Sequence, residues 1–174
     1  LVEVQFESNS TTAINQADNT AVGPNNFTER KLELTFHSAR LGRLSVGQGS
    51  TASDGSAESD LSGTALAAYL NVAAFAGGLD FTNSATGALS GITVGAAFSN
   101  LDGLSRDDRL RYDTPDLGGL VLSSSLVDGG EWDAALAYGG TFPALKVAAK
   151  VAYANQSATR TFPEEIVSSS LSGL

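Results

Sequence analysis

The side chains with the clearest chemical potential in this 174-residue chain are charged ones, in two contrasting sets. Arg43, Arg109 and Arg111 lie in segments where polar and apolar residues alternate. Positions 44 to 105 contain no lysine or arginine. The acids of that stretch are Asp54, Glu58, Asp60, Asp80 and Asp102. Opposed charges across a water-filled gap create a field that orders ions and polar solutes. The two sets therefore indicate electrostatic handling of solutes, provided that the fold brings them face to face.

Other kinds of chemistry have weaker signals. His37 is the only histidine and cannot by itself complete a Ser-His-Asp triad, so we interpret it as a polar-face side chain. The run at 47–49 (GQG) lacks the rest of a nucleotide-binding motif, which favours a strand end leading into a turn. Asp54, Glu58 and Asp60 are an alternative calcium site, since oxygen-rich loops bind this ion, but the EF-hand pattern is missing. We predict no enzyme activity and no cofactor, because no nucleophile–base pair or paired carboxylates stand out.

The composition favours an all-β protein and excludes several classes. A formal net charge of −9 argues against a nucleic-acid partner, because phosphate binding requires a basic surface. The lack of cysteine excludes disulfide scaffolds, zinc-cysteine sites and thiol catalysis. The chain starts at Leu1 without a signal-like segment, so we expect either a removed signal peptide or a start inside a longer protein. No apolar run approaches the roughly 18 residues of a membrane helix.

Alternation with a period of two predicts eight strands with one apolar and one polar face each. These are Leu1–Ser8, Phe27–Ser38, Arg43–Gly49, Asp108–Thr114, Leu120–Val127, Glu131–Tyr138, Leu145–Tyr153 and Phe162–Leu174. Besides the three arginines, the polar faces carry Glu3, Glu7, Lys31, Glu33, Asp113, Lys146 and Lys150. We expect these side chains to share one environment.

The connections between the predicted strands differ in length at the two ends. Short turns are predicted at Ala39–Gly42, Pro115–Gly119 and Gly139–Ala144. On the other side lie the polar stretch Asn9–Asn26, the long segment Thr51–Asp107 and a tight turn at 128–130. Outer-membrane barrels have this asymmetry.

A soluble β-sandwich also alternates and is the alternative fold. Two features favour a barrel with its polar face inward. Both charge signs occur in dense rows on the polar faces. Aromatic residues fall near strand ends on the apolar face, as in an interfacial girdle; they are Phe36, Tyr112, Tyr138 and Tyr153. We interpret Trp132 as a lipid-facing or interface anchor.

Three blocks in this order resemble the general porins of Gram-negative outer membranes. Leu41–Thr64 is similar to a strand reading G-x-L-x-x-G-Q that leads into a Ser/Asp/Gly-rich loop. Asp107–Gly119 (DDRLRYDTPDLGG) resembles the strand R-x-R-Y-D-[ST]-P with its turn and glycine pair. The third block is the hairpin series Leu120–Asn155. Together the blocks cover most of residues 28–155.

The resemblance implies an antiparallel, sixteen-stranded transmembrane β-barrel, trimeric and filled with water. In that family the third extracellular loop folds into the lumen, and Thr51–Asp107 occupies its place. Asp54, Glu58 and Asp60 would then face the three arginines at a pore constriction, and the other polar-face charges would line the pore. Within the loop, Thr64–Ala76 has helical spacing, and Ile92–Phe98 is either a short strand or packed loop.

We therefore expect a channel of the bacterial outer membrane for passive diffusion of ions and small hydrophilic solutes. Its expected partners are the lipid bilayer, lipopolysaccharide and two further copies in a homotrimer. The excess of acids predicts a modest cation preference, which the arginines could reverse. The alternative function is a secreted or surface β-sandwich that binds carbohydrate or a protein partner.

The length predicts part of a barrel. Eight strands are half of what the family uses, and Leu174 is not the aromatic residue with which such barrels end. We interpret residues 1–174 as a single, incomplete β-barrel domain, the N-terminal portion of a porin. A complete small barrel is the alternative.

Overall fold

The computed structural model describes residues 1–6, 15–17, 27–64, 76–98, 101–156 and 165–174. The chain divides into two compact units. The first comprises Leu1–Glu3, Glu29–Gly63 and Leu101–Leu174, and the second comprises Val4–Thr28 and Thr64–Asn100. Within the described ranges, no helix has both the length and the apolar character needed to cross a membrane.

The described elements are almost entirely strands. In chain order they are β1 (Val2–Phe6), β2 (Phe27–Ser38), β3 (Gly42–Ser50), β4 (Asp80–Thr82), β5 (Leu89–Thr93), the short helix α1 (Val94–Ala97), β6 (Arg106–Asp113), β7 (Leu120–Val127), β8 (Trp132–Phe142), β9 (Leu145–Asn155) and β10 (Glu165–Gly173). The predicted all-β class is confirmed, and each of the eight predicted segments contains a strand.

Eight of the strands form one antiparallel sheet in the order β1-β2-β3-β6-β7-β8-β9-β10. Each strand pairs with its neighbour in the chain, except that β3 pairs with β6 across the long insertion. The described strands form an open sheet whose two edges are β1 and β10. Closure into a barrel stays a prediction.

The register places polar residues opposite polar residues. Between β3 and β6, Arg43 pairs with Asp113 and Ser45 with Arg111. Because side chains alternate between the faces, a slip of one residue would turn these groups to the other side of the sheet. The period-two pattern therefore determines which side chains share a face.

The short turns that were predicted at one end of the sheet are confirmed. Residues 39–41, 114–119 and 143–144 join strands at one end of the sheet, whereas the insertion leaves β3 after Ser50 and returns to β6 at Arg106 at the other end. The predicted turn Gly139–Ala144 was too long, because β8 continues to Phe142 and pairs there with Leu145. Tyr138 lies over Gly140, where an added Cβ would be 2.5 Å from the tyrosine Oη. An aromatic ring over a strand glycine supports pairing that composition alone does not favour.

The second unit contains a two-stranded antiparallel sheet of β4 and β5, followed by α1. The segment Ile92–Phe98 is thus the end of a strand and one helical turn, which neither sequence alternative described fully. The hydroxyl of Thr93 caps this turn by accepting from the Ala96 N–H at 3.2 Å. The predicted helix at Thr64–Ala76 falls on residues 65–75, outside the described ranges.

The two faces of the eight-stranded sheet differ in exposure. Large apolar side chains are exposed on one face, as in Leu34 (62%), Leu126 (62%) and Leu171 (75%). On the other face small and polar residues are buried, because residues 51–63 and 101–105 pack on it. We call these the apolar face and the polar face.

Candidate functional site

Arg109 is the most deeply buried of the three arginines, with a side chain only 3% exposed. Its Nε donates to the Ser50 carbonyl at 3.0 Å, and its Nη1 donates to the Gly47 carbonyl at 2.6 Å. Nη2 forms an ion pair with Glu33 at 2.5 Å. The guanidinium crosses Gly49, where an added Cβ would lie 2.8 Å from Nη2. A glycine inside a strand here leaves room for a close approach.

Asp113 joins the other two arginines. Its Oδ1 accepts from Nε and Nη2 of Arg111 at 2.9 and 2.7 Å, and from the Ser123 hydroxyl at 2.6 Å. Its Oδ2 accepts from Nε and Nη2 of Arg43 at 3.0 and 2.9 Å. Two guanidinium groups and one carboxylate leave one net positive charge in this cluster.

Arg109 and Arg111 also hold the chain where it leaves β3. Nη1 of Arg111 donates to the carbonyls of Ser50 at 3.1 Å and Thr51 at 2.7 Å. The Ser50 carbonyl therefore accepts from both arginines. Arginine suits this task because its five N–H donors form a rigid fork. The two side chains orient the start of the insertion onto the polar face.

Asp133 on β8 is fully buried and holds the start of the insertion on the sheet. Its Oδ2 accepts from the Ser53 N–H at 2.7 Å and the Ser53 hydroxyl at 2.6 Å, and its Oδ1 accepts from the Ala52 N–H at 3.3 Å. The Ser53 oxygen in turn accepts from the Leu104 N–H at 3.0 Å. Asp133 therefore holds the first residues of the insertion, and Ser53 connects them to its last ones.

Beyond this anchor the chain crosses β9. Nζ of Lys150 donates to the Asp54 carbonyl at 2.5 Å. The Asp54 carboxylate lies 4.0 Å from Arg106, and the Asp102 carboxylate accepts from the Gly55 N–H at 2.6 Å. Asp102 and Arg106, where the insertion returns to the sheet, thus contact Asp54 and Gly55 near its start.

The chain then follows a row of serines on β10. The hydroxyls of Ser56 and Ser168 are hydrogen-bonded to each other. Ser170 Oγ accepts from the Ser59 N–H at 3.0 Å, and Ser172 Oγ accepts from the Leu61 N–H at 3.1 Å. Alternate residues of a strand share a face, so this row supports an extended segment. We call residues 54–61 the loop arm.

The polar face has two halves of different composition. On β2, β3 and β6 it carries long charged side chains, and we call this the charged half. On β7 to β10 most positions are serine or alanine, and we call this the covered half. Ala52 packs on Ala135 and Ala152 within the covered half. Small side chains let the loop backbone approach the sheet there, whereas guanidinium groups occupy the same space on the charged half.

Described residues line two cavities that open on the polar face. The larger, of about 420 Å³, is lined by residues that include His37, Arg43, Arg111 and Lys150. The smaller, of about 210 Å³, is lined by Lys31, Glu33, Arg43, Ser45, Ser50, Arg109 and Arg111. Arg43 and Arg111 line both. The polar groups of these cavities can solvate ions and hydrophilic solutes.

The predicted constriction residues are only partly brought together. Arg43, Arg109 and Arg111 lie close to one another, but their ion-pair partners are Asp113 and Glu33 on the strands. The loop acids lie on the arm, where Asp54 is near Arg106. Hydrogen bonds from the backbone and hydroxyl of Ser62 hold the pKa of Asp60 below its ordinary value.

The remaining predicted pore-lining residues are spread along the sheet. Glu3 forms ion pairs with Arg30 at 2.8 Å and Lys31 at 3.5 Å. Lys146 is exposed and pairs in register with Thr141 at the β8–β9 hairpin. Glu7 lies outside the described residues. The alternative calcium site has no support in the described ranges, where no three acidic or histidine side chains come together to hold a metal ion.

Sequence reasoning missed the residues that hold the loop. Neither Asp133 nor the serines of β7 and β10 were singled out from the sequence. A signal was present in the runs at 123–125 (SSS) and 168–172 (SSSLS), which place hydroxyls at alternate positions of a strand. Ser125 and its partner Ala52 are 73 residues apart, and Ser168 and its partner Ser56 are 112 apart, so no local pattern revealed these contacts.

The chain was also compared with known proteins. No protein-family model, no curated protein and no solved structure matches it. The candidate function therefore depends on the two faces of the sheet and on the residues of the polar face.

Proposed function

We propose that this chain is part of an outer-membrane porin, in which the polar face lines a water-filled channel and the apolar face meets lipid. One observation carries the proposal: large apolar side chains are exposed on one face, while ion pairs and a folded-in loop occupy the other. Contiguous exposed apolar surface of this kind marks a membrane or protein interface. Apolar-out and polar-in alternation is the pattern of transmembrane barrels.

The loop on the polar face supports a large barrel. A barrel of eight strands has an interior filled by side chains. Here the polar face carries the loop arm and two cavities in addition to its side chains. We therefore propose that further strands complete the barrel, as in the sixteen-stranded porins that the sequence resembles, and that the assembly is a homotrimer in contact with lipid and lipopolysaccharide.

The sandwich alternative is less well supported. A sandwich buries its apolar face against a second sheet. In the described part of the eight-stranded sheet, Leu34, Phe36, Val46 and Leu110 are all exposed by 44% or more. A soluble carbohydrate-binding or protein-binding module would leave this surface in water.

Solutes would pass by diffusion over the charged half, because the loop arm lies on the covered half. We propose no catalytic step and no cofactor. The acidic excess of the chain, −9 in all, leads us to expect a modest cation preference.

Conductance in planar bilayers tests this proposal. We expect discrete, long-lived open-channel steps when purified full-length protein is added to a bilayer in potassium chloride. A heat-denatured sample of the same preparation is the control. Purified, folded protein that produces no steps would contradict the porin proposal, and extraction of the native protein without detergent would favour the sandwich.

A further inference from the structure

The three arginines of the charged half differ in how far they reach water. The Arg109 side chain is 3% exposed and that of Arg111 is 16% exposed. The Arg43 side chain is 49% exposed. A solute passing over this surface would therefore meet mainly one of the three guanidinium groups.

The three arginines also differ in how many of their guanidinium nitrogens donate hydrogen bonds within the protein. All three nitrogens of Arg109 and of Arg111 donate to carbonyl or carboxylate oxygens of the protein. Arg43 uses Nε and Nη2 on Asp113. Among the described residues none accepts from its Nη1. This terminal group has two N–H donors that can bind a solute.

The position of Arg43 also favours contact with a solute. It lines both the 420 Å³ cavity and the 210 Å³ cavity on the polar face. Asp113 holds the guanidinium in place through two hydrogen bonds, so the free end has a defined position. A positioned guanidinium binds carboxylate, phosphate or halide by charge-assisted hydrogen bonds.

We infer that Arg43 is the specificity-determining residue for small anions, whereas Arg109 and Arg111 are positioning residues that fix the start of the inward loop. This inference rests on the proposed channel function and refines it. From the sequence alone, all three arginines had one predicted role, at the pore constriction.

Reversal potentials in a potassium chloride gradient test the inference on the full-length protein. Arg43→Gln should raise the cation-to-anion permeability ratio about fourfold, the order expected for one unit charge roughly 5 Å from a passing ion in water. Asp113 keeps donors from Arg111 and Ser123 in this variant, so we expect folding to be retained. Arg43→Lys preserves the charge and should stay near the wild-type ratio.

Arg40→Gln is the matched control, because Arg40 is an exposed arginine in the turn at 39–41 and its loss changes the net charge equally. Arg111→Lys tests the positioning role, since it preserves the charge but removes the fork that holds two carbonyls. It should change the single-channel conductance while leaving the reversal potential near that of wild type.

The outcomes separate the two proposals. Channels whose reversal potential shifts no more in Arg43→Gln than in Arg40→Gln would overturn the role of Arg43 and leave the porin proposal standing. An unchanged conductance in Arg111→Lys would overturn the positioning role. Folded wild-type protein without channels would overturn the porin proposal and this inference with it.

Discussion

Asp133 is a fully buried carboxylate whose hydrogen-bond donors are two backbone N–H groups and a serine hydroxyl. Buried charges are tolerated where donors of this kind satisfy them. The donors belong to Ala52 and Ser53, at the point where the insertion turns onto the sheet. The carboxylate therefore links the loop to the sheet through the backbone.

We expect Asp133→Asn to destabilise the protein by roughly 1–3 kcal/mol, because the new amide presents N–H groups to donors and leaves buried groups unpaired. Urea titration of the protein in detergent measures this. Asp128→Asn is the control, since the exposed Asp128 carboxylate accepts from the adjacent Gly129 N–H and from no other described residue. Equal stability of the two variants would show that Asp133 is not an anchor.

Gly49 tests the packing of the buried ion pair between Arg109 and Glu33. A Cβ at this position would lie 2.8 Å from Arg109 Nη2 and 2.9 Å from Glu33 Oε2. Gly49→Ala should therefore cost about 1–3 kcal/mol as an overpacking change. Gly139→Ala is the matched control, because it adds the same methyl group to a strand glycine with nothing within 4 Å. Comparable unfolding midpoints in urea would rule out this close packing.

At this scale the sequence predicted the face of each charged residue but not its partner. Period-two alternation placed the three arginines, Glu33 and Asp113 on one face, as observed. Arg109 and Glu33 are 76 residues apart, and Ser53 and Asp133 are 80 apart. Such pairings depend on the order of strands in the sheet, which local pattern does not determine.

At the scale of elements, the covered half explains where the loop lies. Serine and alanine on β7 to β10 leave space for the backbone of the loop arm, and serine hydroxyls satisfy its N–H groups. Long side chains on β2, β3 and β6 keep the charged half open. The eight strands of the large sheet and the short turns at one end of it were predicted, whereas the path of the loop depends on this difference between distant strands.

An engineered disulfide tests the path of the loop arm. The chain has no native cysteine, so only the two introduced thiols can form a bond within it. Ser56→Cys with Ser168→Cys should form a cross-link under mild oxidation, because the two hydroxyls are hydrogen-bonded across the arm and β10. Ser56→Cys with Ser172→Cys is the control, since four strand residues span about 13 Å, well beyond disulfide reach. Electrophoretic mobility before and after reduction reports the bond. Equal cross-linking of both pairs would contradict the described path.

For the whole molecule, the central claim is that the two faces of one sheet meet different solvents. The period of two predicted the faces, but it fits a sandwich as well as a barrel. Exposure favours the barrel, because the large apolar side chains of the described strands have little protein packed over them. Exposure alone does not identify the solvent, so the decisive property is which face water reaches.

Single cysteines at Leu34, Thr35, Phe36 and His37 on β2 measure this property most directly, because all four residues are exposed in the structure. In lipid vesicles, a charged maleimide that does not cross membranes should label Thr35→Cys and His37→Cys rapidly. It should label Leu34→Cys and Phe36→Cys only after the protein is unfolded, because lipid covers the apolar face. Four similar labelling rates in the folded protein would contradict the account, since they would place both faces in water.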